Sequence, residues 1–187
     1  MNVDSPENNF LNFIRSNSKI FIYSLAIIFA TVLVFFWYLN NQKNNKTIIS
    51  DNYIKAQSFL KNEKKDDAKK ILLDIIEKNN SPYSSLALFL IIENNLVENK
   101  SIVLGYFDKV IDNNNHQKED LNLIKFKKAV YISDLKNEQD ILKLLNPIIN
   151  SNSVWKNHAL KFLGDFYTSN NQTQKANQYY SLLSDNN

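Results

Sequence analysis

Two hydrophobic patterns divide the chain. From Ile20 to Leu39 twenty consecutive residues carry no charge, and the apolar positions do not alternate with polar ones on any helical period. A helix of that length rises roughly 30 Å, the thickness of a bilayer's hydrocarbon core. Trp37 and Tyr38 stand at one end, where amphipathic rings favour the headgroup region. A buried core helix is rarely apolar on every face for twenty residues. A cleaved signal peptide has a shorter apolar stretch and a small-residue cleavage site, whereas this one runs into Trp37-Tyr38-Leu39-Asn40-Asn41. The pattern predicts a tail over 1–18, a transmembrane anchor over 19–39 and a polar linker over 40–46.

From Thr47 onward the apolar spacing is helical and broken by short polar runs. It predicts eight helices in four hairpins: 47–61 with 66–78, 82–95 with 100–112, 118–135 with 138–150, and 154–169 with 173–184. The breaks include Asn62-Glu63-Lys64-Lys65, Asn79-Asn80, Asn113-Asn114-Asn115 and Ser151-Asn152-Ser153. Ser81 is expected to cap the third helix with Pro82 at its first position. Asn137 is expected to cap the sixth. Pro147 inside that helix predicts a kink or an end near Asn146, a tolerated bend being the favoured outcome. Helices of 12–18 residues with short connections give antiparallel neighbours.

The last hairpin carries a repeat signature. Leu163-Gly164, Tyr167, Ala176 and Tyr180 match the spacing of a 34-residue helical-hairpin repeat. Small residues at 164 and 176 let the paired helices approach, and Tyr167 and Tyr180 fill the space around them. Ala56, Phe59, Ala68 and Leu72 give a weaker form, as do Ala129, Ile132, Ile141 and Leu145. The second hairpin, near Ala87 and Leu90, keeps only the small position. The fold class expected is all-α: one N-terminal transmembrane helix followed by a TPR-like solenoid of about four hairpins over 47–187. A generic helical bundle shares these helix lengths.

Composition narrows function mostly by exclusion. About 148 of the 187 residues lie beyond the anchor, enough for one core. There is no Cys, so disulfides, thiolate metal sites and thiol catalysis are excluded. Two Gly and three Pro argue against turn-rich β folds, and a Gly-rich phosphate loop is impossible. The net charge of +3 is small, and charges of both signs interleave along the helices. No basic block marks a nucleic-acid footprint. Arg15 and Lys19 before the anchor balance Lys43 and Lys46 after it, so the lysine and arginine bias leaves orientation open.

Catalytic candidates are sparse. His116, in a polar loop, is expected to be solvated, and His158 lies on a helix beside Lys156 and Lys161. Asp66-Asp67 opens a helix and suits the positive end of its dipole. Asp74 and Glu77 belong to a charge-mixed face. No enzyme, cofactor or metal site is expected. Stacked hairpins instead present a groove lined by the first helix of each pair. By the repeat register its candidate residues are Tyr53, Gln57, Leu88, Ile91, Phe126, Val130, His158, Lys161 and Asp165, with Leu88, Ile91 and Val130 equally readable as core. An assembly role is the alternative: the anchor has no Gly-x-x-x-Gly, but Ala26 and Ala30 stand four apart.

The order of tail, anchor and degenerate repeats resembles the YfgM-like ancillary SecYEG translocon subunit family of Gram-negative bacteria. Phe10-Leu11-Asn12-Phe13-Ile14-Arg15 is similar to that family's pre-anchor segment. Lys64 to Leu72 is similar to its first second-helix, and Trp155 to Tyr167 to its final repeat. The resemblance implies an inner-membrane protein with a cytoplasmic N-terminus and a periplasmic repeat domain. It implies as partners the Sec translocon, a membrane-anchored periplasmic chaperone and exported client proteins. An anchored repeat protein of cytochrome c maturation and a cytoplasm-facing adaptor are the alternatives.

Overall fold

The computed structural model describes residues 18–113, 115–135 and 137–184; the predicted tail, including Phe10 to Arg15, lies outside them apart from Ser18. Every regular element among these residues is helical. The helices are α1 (Ser18–Lys61), α2 (Lys65–Glu77), α3 (Tyr83–Glu93), α4 (Lys100–Ile111), α5 (Lys118–Tyr131), α6 (Glu138–Ile149), α7 (Lys156–Ser169) and α8 (Thr173–Ser184). A 3-10 turn, Ser133–Leu135, follows α5. The chain divides into two compact units between Ile48 and Ile49.

The first unit contains the apolar stretch. Ile22–Asn40 has a mean hydropathy of 2.2 and is long and apolar enough to cross a membrane. Its large side chains are exposed, Phe36 to 64% and Trp37 to 68%. Thr31 donates its hydroxyl to the Ile27 carbonyl at 2.8 Å, satisfying a polar group inside the apolar run. The segment 40–46 is not a break: the helix printed by the sequence as two, an anchor and 47–61, is continuous through it. Gln and Lys are good helix residues, the weaker propensity of Asn costs only a fraction of that of Gly or Pro, and neither Gly nor Pro interrupts the run.

The second unit holds the hairpins. Its helix ends follow a common physical rule. Glu63, Asn79, Asn95 and Asn171 adopt positive φ of 47–58° just past α1, α2, α3 and α7. Three of the four are Asn, the side chain that best tolerates the left-handed region after Gly. Returning bonds close these ends, Leu96 N–H to Ile91 at 2.9 Å and Gln172 N–H to Tyr167 at 2.9 Å. Asn99 caps α4 by accepting from the Ser101 and Ile102 amides. Asn137 caps α6 by accepting from Asp140 N–H at 3.3 Å, as the sequence suggests. Asp66 and Asp67 occupy the first turn of α2.

Three local expectations change and one holds. Ser81 does not cap α3, which begins at Tyr83; its hydroxyl lies 3.0 Å from His116 Nδ1. His116 is therefore not simply solvated: half-buried, it also places Nε2 2.8 Å from the Val110 carbonyl. α5 stops at Tyr131 and gives way to the 3-10 turn, short of position 135. α6, in line with the favoured reading, continues through Pro147 to Ile149, because Pro lies in the last turn where it removes one bond only.

Packing follows chain order, with the densest contacts between consecutive helices. Small residues set the closest approaches. On α3, Ser84, Ser85 and Ala87 are buried, and Ser84 donates to the Ile75 carbonyl of α2 at 3.1 Å. Between α7 and α8, a Cβ on Gly164 would lie 2.7 Å from ring carbons of Tyr180. Two clusters form the core. One gathers Ile49, Ala56, Leu72, Ile75, Leu88, Ile91 and Phe107; the other gathers Ala129, Ile141, Leu145, Ile148, Leu163, Tyr167 and Ala176.

Several polar bonds between elements share nearly one spacing. Ser50–Tyr83 spans 33 residues, Asn79–Asn113 34, Lys100–Asp134 34, Glu119–Ser153 34 and Glu138–Lys175 37. Residues about 34 apart thus touch at several points in the second unit.

Candidate protein-binding face

The aromatic residues of α5 and α7 meet side by side. The Phe126 ring lies 6.2 Å from Trp155 at an interplanar angle of 20°, and 6.0 Å from Phe162, edge to face at 83°. His158 adds an imidazole 5.4 Å from Trp155 and 6.4 Å from Phe126. Such offset and edge contacts suit the ring quadrupole. Helix spacing explains the grouping: 155, 158 and 162 fall on one face of α7, as do 126 and 130 on α5. Phe126, Trp155 and Phe162 are half-buried, whereas His158 is exposed, Val130 is 40% exposed and Val154 71%.

A polar relay sets Trp155 over Phe126. Ser153 donates its hydroxyl to Glu119 at 2.6 Å and accepts from the Asn122 amide at 3.0 Å and from Trp155 N–H at 3.2 Å. Glu119 also accepts Val154 N–H at 3.1 Å. The start of α7 is thereby tied to the first two turns of α5. Ser153 and Asn122 are buried, so these bonds carry the desolvation cost of both groups.

At the far side of this face Lys161 and Asp165 form an i,i+4 ion pair at 2.7 Å. Tyr180 donates to the other Asp165 oxygen at 2.8 Å. These two bonds, Lys161 first, hold the Asp165 carboxyl below the ordinary aspartate range. The same contact raises the Lys161 ammonium.

Of the residues the repeat register selects, Phe126 and His158 meet in this aromatic set; Val130 lies one turn on along α5, and Lys161 and Asp165 lie on α7, where Asp165 is bonded to Tyr180 of α8. Tyr53 and Gln57 are half-buried on α1, apart from it. Tyr53 pairs with Tyr83, ring centres 5.8 Å apart, and Tyr83 donates to Ser50 at 2.9 Å. Burial, with Glu93 second, raises the Tyr53 hydroxyl. Leu88 and Ile91 are corrected: both are fully buried in the first core cluster and present nothing to a partner. α3 is apolar on nearly every face, so hydrophobicity does not fix its rotation. The small side chains take the inside with Leu88 and Ile91, leaving Leu86 40% exposed.

Trp155 and Phe162 are the members the register omits. Their signal is present in the sequence as the 155, 158, 162 spacing around His158. An open depression of about 340 Å³ is lined by Lys65, Asp66, Lys69, Asn95, Leu96 and Glu98, with both signs of charge. Among the described residues no three His, Asp or Glu side chains converge as metal ligands. His158 has aromatic neighbours and His116 hydrogen-bonding ones, and the two sit on different elements. The α5–α7 arrangement offers half-exposed aromatic surface. No protein-family model, curated protein or solved structure matches the chain.

Proposed function

We propose that this chain is a membrane-anchored, TPR-like adaptor that holds protein segments against the α5–α7 face. The observation that carries the reading is the half-exposed aromatic set Phe126, Trp155 and Phe162, rimmed by His158, Val130 and Val154. Aromatic and aliphatic surface with a polar edge is the usual anatomy of a protein contact. The recurrence of interhelical bonds near 34 residues supports a TPR-like repeat. Length, hydropathy and exposure of Ile22–Asn40 support the anchor. The role is binding rather than catalysis.

The resemblance supplies the cellular setting as part of this proposal. The repeats face the periplasm beside the Sec translocon and act with a membrane-anchored chaperone on exported proteins. The test uses a photo-crosslinking residue in place of His158 in growing cells, with a single Cys in place of Gln178 as a topology reporter. The chain has no other thiol. Cys labelling by a reagent that cannot cross the inner membrane, with crosslinks to translocon subunits or exported precursors, is the expected result. Labelling only after inner-membrane lysis overturns the periplasmic placement. Absence of any protein crosslink from position 158 overturns the binding face.

A further inference from the structure

Lysines flank the aromatic residues of the α5–α7 face along the chain. Each large aromatic has a lysine next to it in the chain: Lys125 and Lys127 beside Phe126, Lys156 beside Trp155, and Lys161 beside Phe162. Their charges are opposed unequally. Lys161 is paired with Asp165. Among the described residues no carboxylate lies within ion-pair distance of Lys125, Lys127 or Lys156. The two acids of α5, Glu119 and Asp120, stand in its first turn; Glu119 keeps its charge while it accepts from Ser153 and Val154 N–H, so three unpaired lysines meet two carboxylates. The Tyr53–Tyr83 pair has a different setting, where Glu93 is the charge acting on Tyr53.

Surface charges act over a Debye length of about 8 Å at physiological salt, which covers side chains adjacent to an aromatic anchor. A partner whose apolar side chain seats here therefore gains if carboxylates flank it. Charges of both signs interleave along the chain and form no basic block of the kind a nucleic-acid backbone needs, which favours a peptide over a nucleic acid.

We propose that the α5–α7 face takes an extended acidic protein segment, its apolar side chain on Phe126, Trp155 and Phe162 and its carboxylates against Lys125, Lys127 and Lys156. This rests on the protein-binding reading above and names the partner's chemistry. The chain contains two tryptophans, so Trp37→Phe leaves Trp155 as the one indole, inside the site. That full-length variant, in nanodiscs of zwitterionic lipid, is titrated with three probes. They are a Phe-centred peptide flanked by Asp and Glu, the same peptide flanked by Lys, and an oligothymidylate.

The acidic peptide is expected to shift Trp155 emission with an affinity on the order of tenfold above the basic one. High salt and the triple change of Lys125, Lys127 and Lys156 to Gln should erase that margin, with circular dichroism reporting unchanged helix content. Phe126→Ala should weaken both peptides. Equal affinities for the two peptides overturn the acidic preference and leave the protein-binding reading standing. Tighter binding of the oligonucleotide overturns the proposal in favour of nucleic acid. No response to any probe overturns this proposal and counts against the face itself.

Discussion

The molecule's two glycines, one on α4 and one on α7, play opposite parts. Gly164, on α7, lies under the Tyr180 ring of α8, so close that a Cβ would collide with it. Gly105, on α4, has nothing within 4 Å of where a Cβ would be. The α7–α8 hairpin is thus joined by close backbone approach. Tyr180 then reaches Asp165, and Tyr167 stacks on Tyr179 with ring centres 5.4 Å apart. The α3–α4 hairpin is filled by bulk: Leu88, Ile91, Val103, Phe107 and Val110 are all buried. Among the described residues no side-chain hydrogen bond joins α3 to α4. A glycine in a helix marks tight packing only where a partner ring stands over it.

Gly164→Ala is the sharpest way to break this comparison. Forcing a methyl against the Tyr180 ring should cost about 1–3 kcal/mol, the usual range for overpacking a filled site. The loss belongs to the ring. In a Tyr180→Ala background the same change should become neutral or favourable, since Ala exceeds Gly in helix propensity by about 1 kcal/mol. Urea unfolding of the full chain in detergent, followed through Trp155, measures the cycle. An equal penalty in both backgrounds would show that something other than Tyr180 fills the space.

The next contrast is electrostatic. Glu138, at the start of α6, accepts from Lys175 at 2.8 Å and from the Tyr167 hydroxyl at 2.9 Å, clasping α6, α7 and α8. Lys175 also stands 5.1 Å from the Tyr167 ring centre. The two bonds, Lys175 first, hold the Glu138 carboxyl below its ordinary value of 4.5. Burial, then Glu138, pushes the Tyr167 hydroxyl up, so it stays a donor. A depressed folded value means the stabilisation is fully present above about pH 4.5. It is lost as the pH falls through the lower folded value. Glu138→Gln should therefore cost on the order of 1 kcal/mol at pH 7 and flatten the acid limb of a melting-temperature profile. A variant whose acid limb matches the parent's would assign that limb to other carboxylates, Asp165 first.

The sequence made the hairpins and their breaks legible because both rest on local chemistry. Asn79, Asn95 and Asn171 end helices through a conformation their own side chains tolerate, and Asn137 caps α6 through a bond three residues away. Gly164, Ala176, Tyr167 and Tyr180 were readable because the repeat spacing places them in one layer. Rotation of α3 was not, since an 11-residue helix with a near-continuous apolar surface has no preferred inside until its neighbours exist. Leu88 and Ile91 therefore belong to the core and not to the face. The site was half legible: Phe126 and His158 came from the register. Trp155 precedes the first turn of α7 and is set by the Glu119–Ser153 relay, which joins residues 34 apart. His116 was misjudged for the same reason, its partner Ser81 lying 35 residues back.

Gly105→Ala carries the smallest expected effect and the opposite sign. The position is exposed, helical and unobstructed, and its φ is not in the left-handed region. Alanine there narrows the unfolded ensemble and adds no clash, so the chain should gain about 0.5–1 kcal/mol. The same urea measurement reads it beside Gly164→Ala. Opposite signs for one chemical change would tie the difference to what stands above each glycine. If Gly105→Ala also destabilised the chain, then α4 meets a neighbour at that face, and the α3–α4 hairpin would be closer to α7–α8 than bulk packing implies.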